Sequence, residues 1–104
     1  MIKKTFLKSK PVCKATFTLP KKAVNGAKKV QLLGEFNDWK ANKTTELDKL
    51  KNGNFKTTVE VESGKTYQFR YLVDGKEWLN DDQPDALVSN EFGAENCVLD
   101  ARNN

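Results

Sequence analysis

Histidine is absent from the 104 residues, and its absence removes more chemistry than any other single feature. Without an imidazole, a serine or cysteine nucleophile has no histidine base, so triads of that kind are excluded. A zinc site is excluded for the same reason together with cysteine scarcity: Cys13 and Cys97 are the only two cysteines and lie far apart in the chain. A small secreted domain more often carries several disulfides, so two cysteines point to reduced, buried thiols. Long apolar runs are missing too. Leu32-Leu33 and Tyr71-Leu72-Val73 are among the longest, far short of the roughly 20 residues that span a bilayer. The start, Met1 to Lys8, has the basic residues that open a signal peptide, but Lys8 and Lys10 interrupt the apolar section that should follow. The expected location is therefore cytoplasmic.

What is present suits one soluble domain: 38% hydrophobic and 31% charged residues in a chain of one domain's length. The net charge of +4 hides an asymmetry. The first 29 residues hold nine lysines and no acid, whereas the remainder holds seven lysines, two arginines and all fourteen acids. Such a distribution suits either lysines that solubilise an arm and an edge strand or a surface for an anionic partner. Nucleic-acid binding would make affinity fall steeply with salt; the partner expected here is neither nucleic acid nor membrane.

Alternation at period two dominates, and no segment sustains a helical period. Cys13, Ala15, Phe17 and Leu19 share one strand face, and Pro20 ends the strand. Asn25-Gly26 marks a turn, after which Val30, Leu32 and Gly34 begin a second strand. Thr44–Leu50 and Asn54–Glu62 flank Asn52-Gly53, a pair suited to a type I′ hairpin turn. Tyr67, Phe69, Tyr71 and Val73 face one way, with Gln68, Arg70 and Leu72 opposite, before a tight turn at Asp74-Gly75. Glu77-Trp78-Leu79 returns, a polar loop covers Asn80–Ser89, and the last strand is Asn96–Asp100. Six or seven short strands separated by turn signals predict an all-β fold, an antiparallel immunoglobulin-like β-sandwich. The expected organisation is a flexible basic arm over 1–11, the sandwich over 12–100 and a flexible tail over 101–104.

Catalysis finds little support. Asp81 and Asp82 are adjacent carboxylates in a loop expected to be exposed, and chain neighbours of this kind seldom form the separated pair that cleaves a glycoside. The run also lacks calcium-loop spacing, and no phosphate-cradling glycine loop is present. No catalytic residue, metal or cofactor is expected. The tryptophans are more informative. Trp39 follows a strand end among Asn37, Asp38 and Lys40, and Trp78 follows the Asp74-Gly75 turn. Partial burial against a loop would explain either alone; together they suggest a flat aromatic platform. The C–H face of a sugar lies on such a surface while its hydroxyls need donors and acceptors. Arg70 offers donors and Asn96 offers both. Protein interfaces also favour Trp and Arg, so these residue types leave a protein-binding surface open.

The run Leu32-Leu33-Gly34-Glu35-Phe36-Asn37-Asp38-Trp39, followed by Tyr67-Gln68-Phe69-Arg70-Tyr71-Leu72-Val73-Asp74-Gly75, Trp78 and Asn90–Asn96, resembles the family 48 carbohydrate-binding modules. These include the glycogen-binding domain of the AMP-activated protein kinase β subunit and the N-terminal domains of isoamylases and glycogen branching enzymes. The similarity covers about 70 residues, from near Val30 to near Leu99. It implies an early-set sandwich that binds α-1,4-glucan (glycogen or starch-like chains) without catalysis, with a protein partner in glycogen metabolism as a further implication. By motif position the sugar contacts would be Trp39, Arg70, Trp78, Phe92 and Asn96. Arg70 stands where the family's lysine lies, Phe92 where leucine is usual, and one extra residue separates the Asp74-Gly75 turn from Trp78. The alternative implied by other members is a module of the same fold that has lost sugar binding and serves protein interaction.

Overall fold

The computed structural model describes residues 2–24, 26–41 and 45–102. Two antiparallel sheets face each other. One is ordered β1 (Ile2–Phe6), β2 (Val12–Leu19), β5 (Phe55–Glu62), β4 (Asp48–Lys49). The other is ordered β3 (Val30–Gly34), β6 (Thr66–Val73), β9 (Glu95–Asp100), β8 (Ala86–Ser89), with β7 (Glu77–Leu79) also paired to β6. The all-β sandwich expected from alternation is the architecture found.

The alternating apolar sets supply the core. Phe17 from β2 meets Phe69 from β6 edge-on, with centroids 5.1 Å apart at 74°, which ties the two sheets through an aromatic pair. Phe55, Tyr71, Leu19, Leu32 and Leu99 are buried around them. Cys13 and Cys97 are both buried and both free, and burial is the first cause raising each thiol above its ordinary pKa.

Several expectations need correction. Residues 2–6, expected in a flexible arm, form β1, with Ile2, Lys4 and Phe6 opposite the inward-facing Phe17, Ala15 and Cys13. Ile2 and Phe6 pack on the core, and Lys4 reaches across to Asp85 at 2.9 Å and to the Asp100 carbonyl at 3.1 Å. Apolar burial plus one inter-sheet ion pair thus anchors the segment, and an inward-pointing lysine also blunts the sheet edge. Ala101, expected in the tail, is buried and exchanges backbone bonds with Gly64 and Lys65. The stretch expected as a polar loop contains β8, paired with β9 from Ala86↔Val98 to Ser89↔Glu95; its pairing comes from the neighbouring strand rather than from its own weak alternation. A short helix, α1 (Lys21–Val24), follows Pro20.

The hairpin at Asn52-Gly53 is not of type I′. Gly53 has φ +90° and Asn52 is not among the positive-φ residues. Gly53 N–H bonds to the Leu50 carbonyl and Leu50 N–H to the Asn54 carbonyl. This is the three-residue loop in which a type I turn is completed by a left-handed glycine. The paired positive φ values occur instead at Asp74 (+50°) and Gly75 (+68°). There the Asp74 carboxylate accepts the backbone N–H groups of Lys28 and Lys29 at 2.9 Å each, which ties the turn to the strand start at β3. The Asn25 half of the expected Asn25-Gly26 turn, and Thr44 at the start of the expected strand, lie outside the described residues.

Candidate functional site

The outward set of β6 builds one wall of a surface cleft. Because strand side chains alternate, burying Phe69 and Tyr71 turns Gln68 and Arg70 outward. Trp78 pairs with Leu72 in register and so shares that outer face, and Asn96 precedes the Phe69↔Cys97 pair on the adjacent strand. The turn between β8 and β9 supplies Phe92, and the segment after β3 supplies Trp39. These five residues, the ones singled out in the sequence, line a single cleft of about 490 Å³.

Trp39 is held by an unusual local structure. After Gly34 the chain enters a short 3₁₀ turn, Glu35–Asn37. The Asn37 side chain closes it: Oδ1 accepts Gly34 N–H at 3.0 Å and Nδ2 donates to the Leu32 carbonyl at 2.9 Å. Asp38 and Trp39 then both adopt left-handed φ, 56° and 58°, and Trp39 N–H bonds back to the Gly34 carbonyl at 2.9 Å. Two consecutive non-glycine residues in this region are costly and persist only where neighbouring contacts enforce them. Gly34 itself is needed for close packing, since a Cβ there would sit 2.6 Å from the Gln68 carbonyl oxygen and 2.9 Å from Phe69 Cβ.

The tryptophans do not make the flat platform expected. Their rings lie 6.5 Å apart between centroids and 70° from parallel, so they form a corner. Both stay open, at 37% and 46% exposed. The cause is backbone geometry: Trp78 stands on a regular strand, whereas the left-handed pair turns Trp39 across it. Arg70 lies beside the corner, its guanidinium carbon 5.7 Å from the Trp78 ring centroid. Its Nε donates to Asn80 Oδ1 at 2.9 Å, and Asn80 Nδ2 donates to the Glu95 carbonyl at 3.0 Å. The arginine is thus braced beside Trp78.

Phe92 is 85% exposed at the tip of its turn. The Asn90 carboxamide shapes that turn, accepting Phe92 N–H at 2.9 Å and Ala94 N–H at 3.1 Å, while its Nδ2 donates to Asn96 Oδ1 at 3.1 Å. Asn96 in turn donates to Gln68 Oε1 at 3.0 Å. Asn96 is nearly buried and pre-positioned by two side chains, leaving one amide hydrogen and one lone pair.

Four further residues line the cleft: Glu35, Gln68, Asn90 and Glu91. Glu35 Oε1 accepts the Gln68 backbone N–H at 2.7 Å, tying the Trp39 segment to β6. Gln68 was recognisable from its outward position two residues before Arg70. Asn90 and Glu91 belong to the run Asn90–Asn96 that carries the family resemblance, but only the turn brings them to the cleft.

Asp81 is not the exposed loop carboxylate expected. It is 4% exposed, accepts the Tyr71 hydroxyl at 2.7 Å and the Gln83 N–H at 2.9 Å, and sits against Cys97. Burial works to raise its pKa, but the hydrogen bonds it receives outweigh that and hold it below the usual carboxylate range. It anchors the segment carrying Asn80. Among the described residues no cluster of three metal-ligating side chains occurs, and no helix is long and apolar enough to cross a membrane.

An open, aromatic-cornered cleft on a β-sandwich, lined by hydrogen-bonding side chains, is the arrangement of carbohydrate-recognition modules. Residues 22–104 match the family described as the glycogen recognition site of AMP-activated protein kinase, and the chain belongs to that family. No curated protein gives a significant match.

Proposed function

We propose that the cleft binds α-1,4-glucan without catalysis, with successive glucose units stacked on Trp39 and Trp78. Arg70 donates to hydroxyls, Asn96 donates and accepts, and Phe92 packs against the chain from the side. The observation that carries this reading is the 70° corner between two exposed indoles. An α-1,4-linked chain curves, so neighbouring rings present their C–H faces in different directions. A flat platform would suit a straight chain instead.

The strength should be modest. If each indole covers about 100 Å² of apolar sugar surface, the gain is roughly 2–3 kcal/mol per ring. After ordering and desolvation costs, a net of about 4–6 kcal/mol corresponds to Kd from roughly 1 mM to tens of micromolar. A weak contact of this kind works as a tether on a polymer that offers many sites.

Glycogen co-sedimentation at low and high salt tests the proposal, comparing the native chain with the Trp39→Ala, Trp78→Ala double variant. Retention that ignores salt and disappears in the double variant is the expected result. A folded native chain that stays in the supernatant would rule the reading out.

A further inference from the structure

A second groove, of about 340 Å³, opens where β2 ends, between α1 and the β4–β5 turn. It shares no residue with the aromatic cleft. Lys21, Lys22 and Lys49 rim it, the largely buried Val24, Ala27 and Phe55 form its apolar floor, and among the described residues no carboxylate lines it.

Charge compensation is uneven among the surface lysines. Lys4, Lys14 and Lys65 each pair with a carboxylate. Among the described residues none of the three groove lysines has such a partner. Two are also held in place. Lys21 N–H donates to Asn54 Oδ1 at 3.0 Å, and its stem lies so close over Gly53 that a Cβ there would come within 2.8 Å of Lys21 Cδ. Lys49 Nζ sits 5.8 Å from the Phe55 ring centroid. Cations already fixed by their stems lose less freedom when they bind an anion.

The chemistry selects among ligands. A neutral sugar needs acceptors as well as donors, and the lining side chains provide no acceptor. Nucleic acid would gain from an exposed aromatic ring for base stacking, but Phe55 is buried. Uncompensated ammonium groups around an apolar surface match carboxylates that flank an apolar side chain. We propose that this groove docks an acidic segment of a partner protein, seating one aliphatic side chain beside Val24 and Phe55 while flanking carboxylates pair with Lys21, Lys22 and Lys49.

The test is an NMR titration of the full chain with a synthetic peptide in which one leucine is flanked on both sides by aspartate and glutamate. Backbone amide shifts should concentrate at Lys21, Lys22, Lys49 and Gly53. Affinity should fall by about tenfold or more in Lys21→Glu, Lys49→Glu, as expected for reversed charge pairs, with the thermal midpoint monitoring the fold. Lys21→Gln, Lys49→Gln should weaken binding less, and replacing the peptide's leucine by glycine should weaken it several-fold. Shifts spread over Lys3, Lys14 and Lys28, or equal binding of the glycine peptide, would overturn the proposal as general charge attraction. A single-stranded oligonucleotide that binds the same amides more tightly would overturn it in favour of nucleic acid.

Discussion

Trp39 and Trp78 meet as a corner, 6.5 Å apart between ring centres and 70° from parallel. The angle follows from two different supports, a strand for Trp78 and a left-handed turn for Trp39. Each indole therefore offers its own stacking face. Single substitutions Trp39→Ala and Trp78→Ala should each weaken malto-oligosaccharide binding by about tenfold or more, the loss of roughly 1.4 kcal/mol or more of stacking. A straight β-1,4-linked oligosaccharide of the same length should bind less tightly than the α-linked one. Isothermal titration with both sugars checks the two statements together, and equal affinities would contradict a corner that selects curvature.

Arg70 and Asn80 form the next unit to test. The Nε–Oδ1 bond of 2.9 Å fixes the guanidinium beside Trp78. A lysine at this position keeps the charge but lacks the planar fork. Arg70→Lys should cost several-fold in sugar affinity, and Arg70→Ala more. Asn80→Ala, which touches the ligand only through Arg70, should give an intermediate loss while leaving binding by an Arg70→Ala background unchanged. A double-mutant cycle measures this coupling.

The sandwich was legible because its strands alternate cleanly: Phe17, Phe69 and Tyr71 all sit on the faces the pattern assigns. The outward placement of Arg70 came from the same rule. What escaped was set by contacts between distant residues. β1 is held by burial of Ile2 and Phe6 and by the Lys4–Asp85 pair, β8 by its neighbour β9, and the burial of Asp81 by the hydroxyl of Tyr71. The two turns show a limit of local chemistry as well. Asn52-Gly53 and Asp74-Gly75 look alike in sequence, and the added Lys28 and Lys29 amides favour left-handed φ at Asp74. The corner between the tryptophans was invisible for a related reason, since nothing local to Trp39 announces two consecutive left-handed residues.

Gly34 and Asn37 support that turn, and their variants should separate stability from binding. Gly34→Ala forces a Cβ against the Gln68 carbonyl and Phe69, which should cost about 1–3 kcal/mol by overpacking. Asn37→Ala removes two hydrogen bonds that close the turn, with an expected cost of about 1–2 kcal/mol. Urea denaturation measures both. Asn37→Ala should also weaken sugar binding while the chain is still folded, because the left-handed pair at Asp38 and Trp39 loses its brace. Unchanged affinity would mean that Gly34 and the Trp39 backbone bond suffice.

Acid stability follows from three carboxylates. Hydrogen bonds from the Lys29 and Lys28 amides depress Asp74, and those from Arg102 depress Asp100. Burial works to raise the Asp81 pKa, but the hydrogen bonds and positive charge it meets, the bonds from Gln83 and Tyr71 among them, hold it low. A carboxylate with a depressed folded pKa contributes stability above its unfolded value, and that contribution is lost as pH falls through the folded value. The chain has no histidine, and burial raises both thiols. Stability should accordingly be flat between about pH 5 and 8 and decline below about pH 4. Tyr71→Phe removes the hydroxyl at 2.7 Å from Asp81. It should lower stability at neutral pH by about 1–3 kcal/mol, the cost of leaving a buried acceptor short of a partner. With that donor gone the Asp81 pKa lies nearer its unfolded value, so the variant has less stability to lose in acid: its deficit should be largest at neutral pH and narrow as pH falls below about 4. Urea midpoints across the pH series decide the matter: parallel curves for the two proteins would show that Tyr71 does not support the ionised form of Asp81.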